Sequence, residues 1–358
     1  MTTLSLAAIS FSATAAPRVA PVSDLPAVKS LQANIPGRTL RASDGDAYQW
    51  PGLYFETRFS GTRAYFRLGA GEVILRVLVD GAQVSTLAKP APGAYEIADL
   101  APRPHTVRIE ILTESQAGPN VFGGFLYPDR TKPLPAIARS RQIEFIGDSH
   151  TVGYGNTSAT RECTSEEVWK TTDNSQAFGP RIARHYDADY QVNAISGRGV
   201  VRNYGGSPGD PLPQAYAYAL LDHSAVVPGR DWHPQVIVIA LGTNDFSTAL
   251  TPQEKWKSRD ELHADYESTY AAFLTSLRTR HPQAFMVVWA TDMAEGEIES
   301  EAGKVVAQLA SKGDDRIRFV PIHGLAMTGC HWHPSLADDE VIADALIRAI
   351  DAGRADWR

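Results

Sequence analysis

Four short blocks of the chain carry residues able to do acyl-transfer chemistry. They are Gly147-Asp148-Ser149-His150-Thr151, Ser196-Gly197-Arg198-Gly199, Gly242-Thr243-Asn244-Asp245 and Cys330-His331-Trp332-His333-Pro334. A serine directly after a strand, at a turn into helix, exposes its Oγ at the sheet edge. Its own N–H points outward at a helix start, where an anion is favoured. A glycine lets a second backbone N–H approach the same spot without a side chain in the way. An asparagine supplies a third donor through its NH₂ group. A histidine at the head of a final helix can take the serine proton and later return it. Each block alone is weak evidence; four in order, each at a strand end or before the last helix, form a constellation.

The elements that must position these blocks alternate between strand and helix. Gln142–Ile146, Tyr190–Ile195, Val236–Leu241, Phe285–Ala290 and Arg318–Ile322 are apolar runs of buried-strand length. Helix-like stretches stand among them at Ser175–His185, Arg259–Arg280, Glu297–Ser311 and Leu336–Ala352. In the last of these, Ile342, Leu346 and Ile350 recur every fourth residue, and Ser335 with Asp338 makes a capping-box pattern. This rhythm predicts an α/β domain over 140–358, a parallel sheet with helices on both faces and its site outside the carboxyl ends of the strands.

The earlier part of the chain has another rhythm. Leu53–Phe59, Ala64–Leu68, Val73–Val79, Thr106–Leu112 and Val121–Leu126 are short strand-like runs separated by Gly, Pro, Asp and Asn. They predict an antiparallel β-sandwich of jelly-roll type over 30–132, with no catalytic cluster of its own, and 129–140 reads as a linker.

Composition excludes some functions. The chain of 358 residues has 34 Lys+Arg against 41 Asp+Glu, a net charge of 34 − 41 = −7. No basic cluster is present to hold a nucleic-acid backbone. No apolar run reaches the roughly 18–20 residues needed to span a bilayer. Neither a nucleic acid nor a membrane is therefore expected as a partner. His331 and His333 form an H-x-H pair without a third ligand at matching spacing, so no metal or other cofactor is expected. Nothing in the sequence assigns an oligomeric state.

The four blocks resemble the SGNH (GDSL-type) hydrolases, whose four letters match Ser149, Gly197, Asn244 and His333 in order. The β-sandwich joined to Ile143-Glu144-Phe145-Ile146-Gly147-Asp148-Ser149 and Gly153-Tyr154-Gly155 is similar to carbohydrate esterase family 2. So are Ser196-Gly197-Arg198-Gly199-Val200-Val201-Arg202-Asn203-Tyr204 and Gly329-Cys330-His331-Trp332-His333-Pro334, and the resemblance runs from about residue 35 onward. It implies an exported serine esterase that removes acetyl groups from plant-wall polysaccharides such as xylan or glucomannan. Ser149 is then nucleophile and His333 general base, with Ser149 N–H, Gly197 N–H and Asn244 as oxyanion donors; Gly199 stands close enough to leave the glycine open. The wider pattern places Asp three residues before the His, and some family members place it two before. Here those positions are Cys330 and His331. The expectation is a Ser–His dyad with a backbone carbonyl on His333 Nδ1, Asp338 and Asp339 being the substitutes to consider. Tyr154 is a candidate wall of the acyl pocket and Trp332 a candidate sugar platform, since flat aromatic faces complement pyranose rings.

Two other readings remain: a general SGNH esterase or lipase acting on small esters, and a carbohydrate-binding protein on a catalytically weak scaffold. Residues 1–20 read either as a signal peptide without a basic start, with Ala13-Thr14-Ala15 as cleavage pattern, or as a disordered Ala/Ser/Thr tail. The first fits a secreted or periplasmic protein. Cys163 and Cys330 would pair in an exported protein and remain thiols in a cytosolic one.

Overall fold

The computed structural model describes residues 16–227, 232–353 and 355–357. Two antiparallel sheets form the amino-terminal half. One runs in the order Arg18–Val22, Gly93–Ala98, Ala64–Leu68, Asn120–Pro128, Gly45–Tyr48 and Leu40–Ala42, with Val28–Ser30 also on Asn120–Pro128. The other runs Lys132–Leu134, Tyr54–Gly61, Arg103–Ile111, Ile74–Val79 and Ala82–Ala88, with Ala33–Asn34 on Tyr54–Gly61. Phe66, Ile97 and Phe125 from the first sheet meet Phe55, Val77 and Ile109 from the second in one buried core. Alternating burial along strands such as Ile74–Val79 is the period-two pattern of a sheet with one face inward.

The second half is a parallel sheet in the order Asp189–Ala194, Gln142–Gly147, Val236–Ala240, Phe285–Thr291 and Ile317–Ile322. The strands Val236–Ala240 and Phe285–Thr291 are buried along their whole length, as expected of strands covered on both faces. Their side chains alternate between two cores. Phe145, Val238 and Val287 pack against Phe178 and Ile182 of the helix Phe178–His185 and Ile342 and Leu346 of Leu336–Asp351. Ile146, Ile239 and Val288 face Tyr266 and Leu274 of Arg259–Arg280 and Val305 of Glu297–Ser311.

This order, with the first strand between the second and third, creates a switch point where connections diverge to opposite faces. Ser149 follows the first strand, Gly197 the second and Asn244 the third, so the topology alone gathers three of the four blocks at one crevice. The fourth is placed by the final helix. Ser335 accepts from Asp338 N, and Asp338 accepts from Ser335 N at 2.9 Å, completing the capping box. Asp338 also accepts from Ala326 N at 2.7 Å and Met327 N at 3.0 Å, tying the loop that carries His333 to this helix.

Several expected boundaries move. Arg18–Val22 pairs with Gly93–Ala98, so a strand takes in the last residues of the stretch 1–20, and sheet residues precede position 30. Most of the leader reading, including Ala13-Thr14-Ala15, lies outside the described residues. Lys132–Leu134 pairs with Tyr54–Gly61, which puts a strand inside the expected linker. The helix expected from Ser175 begins at Phe178, because Asn174–Gln176 is a single 3-10 turn.

Candidate active site

Ser149 opens the short turn Ser149–Val152, and Asp148 caps it by accepting from His150 N at 3.0 Å. His333 Nε2 lies 2.8 Å from Ser149 Oγ. Two carbonyls converge on the other ring nitrogen: Nδ1 is 2.9 Å from Cys330 O and 3.1 Å from His331 O. Carbonyls only accept, so Nδ1 carries the proton and Nε2 is left to accept from the serine hydroxyl, a tautomer inferred from the hydrogen-bond network. A backbone thus occupies the place a triad carboxylate would fill. Asp338 is engaged in the cap described above, and Asp339 accepts from Asn156 Nδ2 at 3.0 Å and Phe178 N at 2.9 Å.

The carbonyls reach His333 because the loop takes an uncommon course. His331 and Trp332 both have positive φ, 51° and 58°, a region that costs non-glycine residues of order 1 kcal/mol each. Surrounding bonds hold it there. Cys330 is joined to Cys163 by a disulfide. Arg161 Nε donates to Met327 O at 2.7 Å, and His331 N donates to Arg161 O at 2.7 Å. The His331 ring turns away from His333, contacting Cys163 O at 2.8 Å and Tyr154 Oη at 3.1 Å. Position 331 is therefore not a vacant acid site, and the two histidines do not converge as metal ligands.

A cavity of about 350 Å³ opens over Ser149, lined by Tyr154, Ser196, Gly197, Tyr204, Asn244, His331 and His333. Gly197 has φ 83° and open space where a Cβ would project. Gly199 N–H is instead directed at Asn203 Oδ1, 3.4 Å away, and a Cβ there would lie 2.2 Å from Arg202 O. The geometry brings Gly197, not Gly199, to the cavity. Neither Ser149 N–H nor Gly197 N–H has a hydrogen-bond partner among the described residues. Asn244 Nδ2 donates to Arg198 O at 2.9 Å and makes a longer contact of 3.3 Å with Asp148 Oδ2. Asp245 holds the neighbouring loop, accepting from Val200, Val201 and Arg202 N–H.

Burial and the adjacent His150 push the His333 imidazole down to about 3. His150, which carried no role in the sequence, is buried with its ring edge-on at 5.4 Å from His333, and burial lowers it to about 4. Tyr154 covers His333 from another side, ring centres 4.3 Å apart. Burial raises Asp148 to about 7 and Asp245 to about 6.

The two halves of the chain match two family models. Residues 35–136 match the carbohydrate esterase 2 N-terminal model, and 145–342 match the GDSL-like lipase/acylhydrolase family. An acetylxylan esterase / glucomannan deacetylase of Cellvibrio japonicus is 45% identical over 335 residues, which span 92% of this chain and 93% of that protein. The chain belongs to carbohydrate esterase family 2. Among solved structures, a carbohydrate esterase described as having divergent catalytic and non-catalytic binding functions superposes with a TM-score of 0.87 at 43% identity, covering 92% of this chain and 100% of that one. A family two carbohydrate esterase of Clostridium thermocellum, in complex with cellohexaose, superposes with a TM-score of 0.80 at 27% identity, covering 91% and 100%.

Against this family frame, the cavity holds residues that sequence reasoning had not singled out. Tyr204, 56% exposed, projects from the loop after the second strand of the esterase sheet. Ser196 and His331 also line the space. Trp332, 52% exposed, lies outside the lining and beneath the Arg161 guanidinium, which is 5.9 Å from its ring centre. The sandwich also reaches this site through Glu114 and Gln116, although no cluster was visible in that half. A carboxylate and an amide three and five residues past the end of Arg103–Ile111 carry no motif, so only tertiary contact reveals them.

Proposed function

We propose that this esterase removes O-acetyl groups from plant-wall polysaccharides such as xylan and glucomannan, using Ser149 as nucleophile and His333 as general base in a Ser–His dyad. The observation that carries this reading is the 2.8 Å contact between Ser149 Oγ and His333 Nε2 at the edge of an open cavity. The substrate class rests on the related acetylxylan esterase / glucomannan deacetylase.

In the first half-reaction, His333 Nε2 takes the Ser149 proton as Oγ attacks the acetyl carbonyl carbon. The carbonyl oxygen becomes an oxyanion, received by the N–H groups of Ser149 and Gly197 and by Asn244 Nδ2, which turns to it the N–H of its longer contact, the one to Asp148 Oδ2. One such donor is typically worth about 3 kcal/mol in the transition state. The imidazolium is stabilised by Cys330 O and His331 O on Nδ1–H, as a carboxylate would do elsewhere. It then protonates the departing sugar oxygen, leaving acetyl-Ser149. Water enters and gives a proton to His333 as it attacks the acyl carbon; the imidazolium returns that proton to Ser149 Oγ as the acyl bond breaks, and acetic acid leaves, ionising to acetate in solution. A Cys163–Cys330 pair is consistent with an exported protein, secreted or periplasmic. Among the described residues, no helix is long and apolar enough to cross a membrane.

Acetate release from acetylated xylan and acetylated glucomannan tests the reading, with wild type beside Ser149→Ala. Release by wild type that vanishes in the variant is expected. Absence of release from both polymers by folded wild type would overturn the substrate assignment.

A further inference from the structure

The Ser196–Gly197 peptide presents an unusual problem of orientation. Its N–H is the Gly197 donor facing the cavity, yet Gly197 has positive φ and open space around the missing Cβ. Glycine resists rotation of that peptide plane weakly, so something else must fix it. The bonds to Ser196 come from the other domain. Glu114 Oε2 accepts from Ser196 Oγ at 2.6 Å and from Ser196 N at 3.3 Å, and Gln116 Nε2 donates to Ser196 O at 3.1 Å. Gln116 Nε2 also donates to Glu114 Oε1, which locks the two side chains together. The Gln116 carbonyl in turn accepts from Gln49 Nε2 at 3.3 Å.

We propose that Glu114 and Gln116 of the β-sandwich are positioning residues for the esterase reaction, clamping the Ser196–Gly197 peptide so that Gly197 N–H faces the oxyanion. Gln116 acts on the same peptide unit as the oxyanion: a donor on its C=O polarises it and strengthens its N–H. The sandwich is then part of the catalytic apparatus rather than an appended module. This inference rests on the serine-esterase reading above.

The test uses the full chain with p-nitrophenyl acetate, comparing wild type, Ser149→Ala, Gln116→Leu, Gln116→Glu and Glu114→Gln. Removing one oxyanion donor outright costs about 10²–10³ in kcat, so a loosened donor should cost about 10-fold. Gln116→Leu is expected to lower kcat by about that factor with KM within about twofold, and Gln116→Glu, which turns a carboxylate toward the carbonyl, by at least as much. Glu114→Gln keeps one acceptor, enough for Ser196 or for Gln116 Nε2 but not for both, so it should lower kcat by less than Gln116→Leu. Affinity for a boronic acid that mimics the tetrahedral oxyanion should fall in step with kcat. Kcat within twofold of wild type in both Gln116 variants would overturn the inference and leave the esterase reading standing. A loss residing in KM, or a lowered kcat with unchanged boronic acid affinity, would also overturn it. Wild type without Ser149-dependent turnover would remove the reading, and the inference with it.

Discussion

The disulfide is where stability and catalysis should be lost together. Cys163 and Cys330 are 167 residues apart, so their bond closes most of the esterase domain into a loop. The loop-entropy relation for a closure of this length gives about 5 kcal/mol of stabilisation, through restriction of the unfolded chain. The same bond anchors Cys330, whose carbonyl lies 2.9 Å from His333 Nδ1 on a loop with two strained residues following. In Cys163→Ala/Cys330→Ala, unfolding should become easier by about 3–5 kcal/mol. Relaxation of the strained turn should let the Nδ1 acceptors drift, lowering kcat about 10-fold, or about 1.4 kcal/mol in the barrier. Urea titration followed by tryptophan fluorescence measures the first, and acetate release in the absence of denaturant the second. Equal urea midpoints for wild type and the double variant would refute the entropic argument. Full kcat in the folded variant would show that the loop holds its course without the bond.

Three further outcomes follow from the site. Asn244→Ala should lower kcat about 10²–10³-fold with little change in KM, because its amide acts on charge that develops only in the transition state; steady-state kinetics checks the split. His331→Asp should lose activity about 10-fold, since it removes the ring contacts to Tyr154 and Cys163 and brings no carboxylate to His333; a gain would show that position 331 does face Nδ1. With His333 pushed down to about 3, the imidazole stays neutral through the mildly acidic range. A lowered base pKa preserves the working form as pH falls, so the His333 ring signals in an NMR titration should stay those of a neutral imidazole from pH 8 to about pH 5, separately from any change in rate as Asp148 and Asp245 protonate. Ring signals that titrate near the ordinary histidine value of about 6.5 would contradict that environment.

Much of the catalytic half is legible in the sequence because its signals are strong and local. The helices Arg259–Arg280 and Glu297–Ser311 begin and end where expected, and Ser335 with Asp338 forms the cap read from the pattern. Fully apolar runs such as Val236–Leu241 are unmistakable, and the structure shifts their ends by about a residue. The sandwich is less complete. Ala82–Ala88 is largely exposed and interleaves polar with apolar residues, so no apolar run announces it, and Arg18–Val22 pairs along an edge with Gly93–Ala98. The same holds for the site. Ser149, Gly197, Asn244 and His333 stand in short motifs at element ends. The carbonyls on His333 depend on φ angles at His331 and Trp332, which no residue type announces. Glu114 and Gln116 matter only through contact with Ser196, some 80 residues away.

An acyl-enzyme on Ser149 is the most direct consequence of the proposed chemistry. Wild type mixed with excess p-nitrophenyl acetate, quenched within the first turnovers and examined by intact and peptide mass spectrometry, should carry one acetyl group on Ser149. The same label should accumulate further when His333→Ala slows deacylation of any adduct that forms. An active protein with no acetyl group on Ser149, or a Ser149→Ala variant that still releases acetate, would contradict the account.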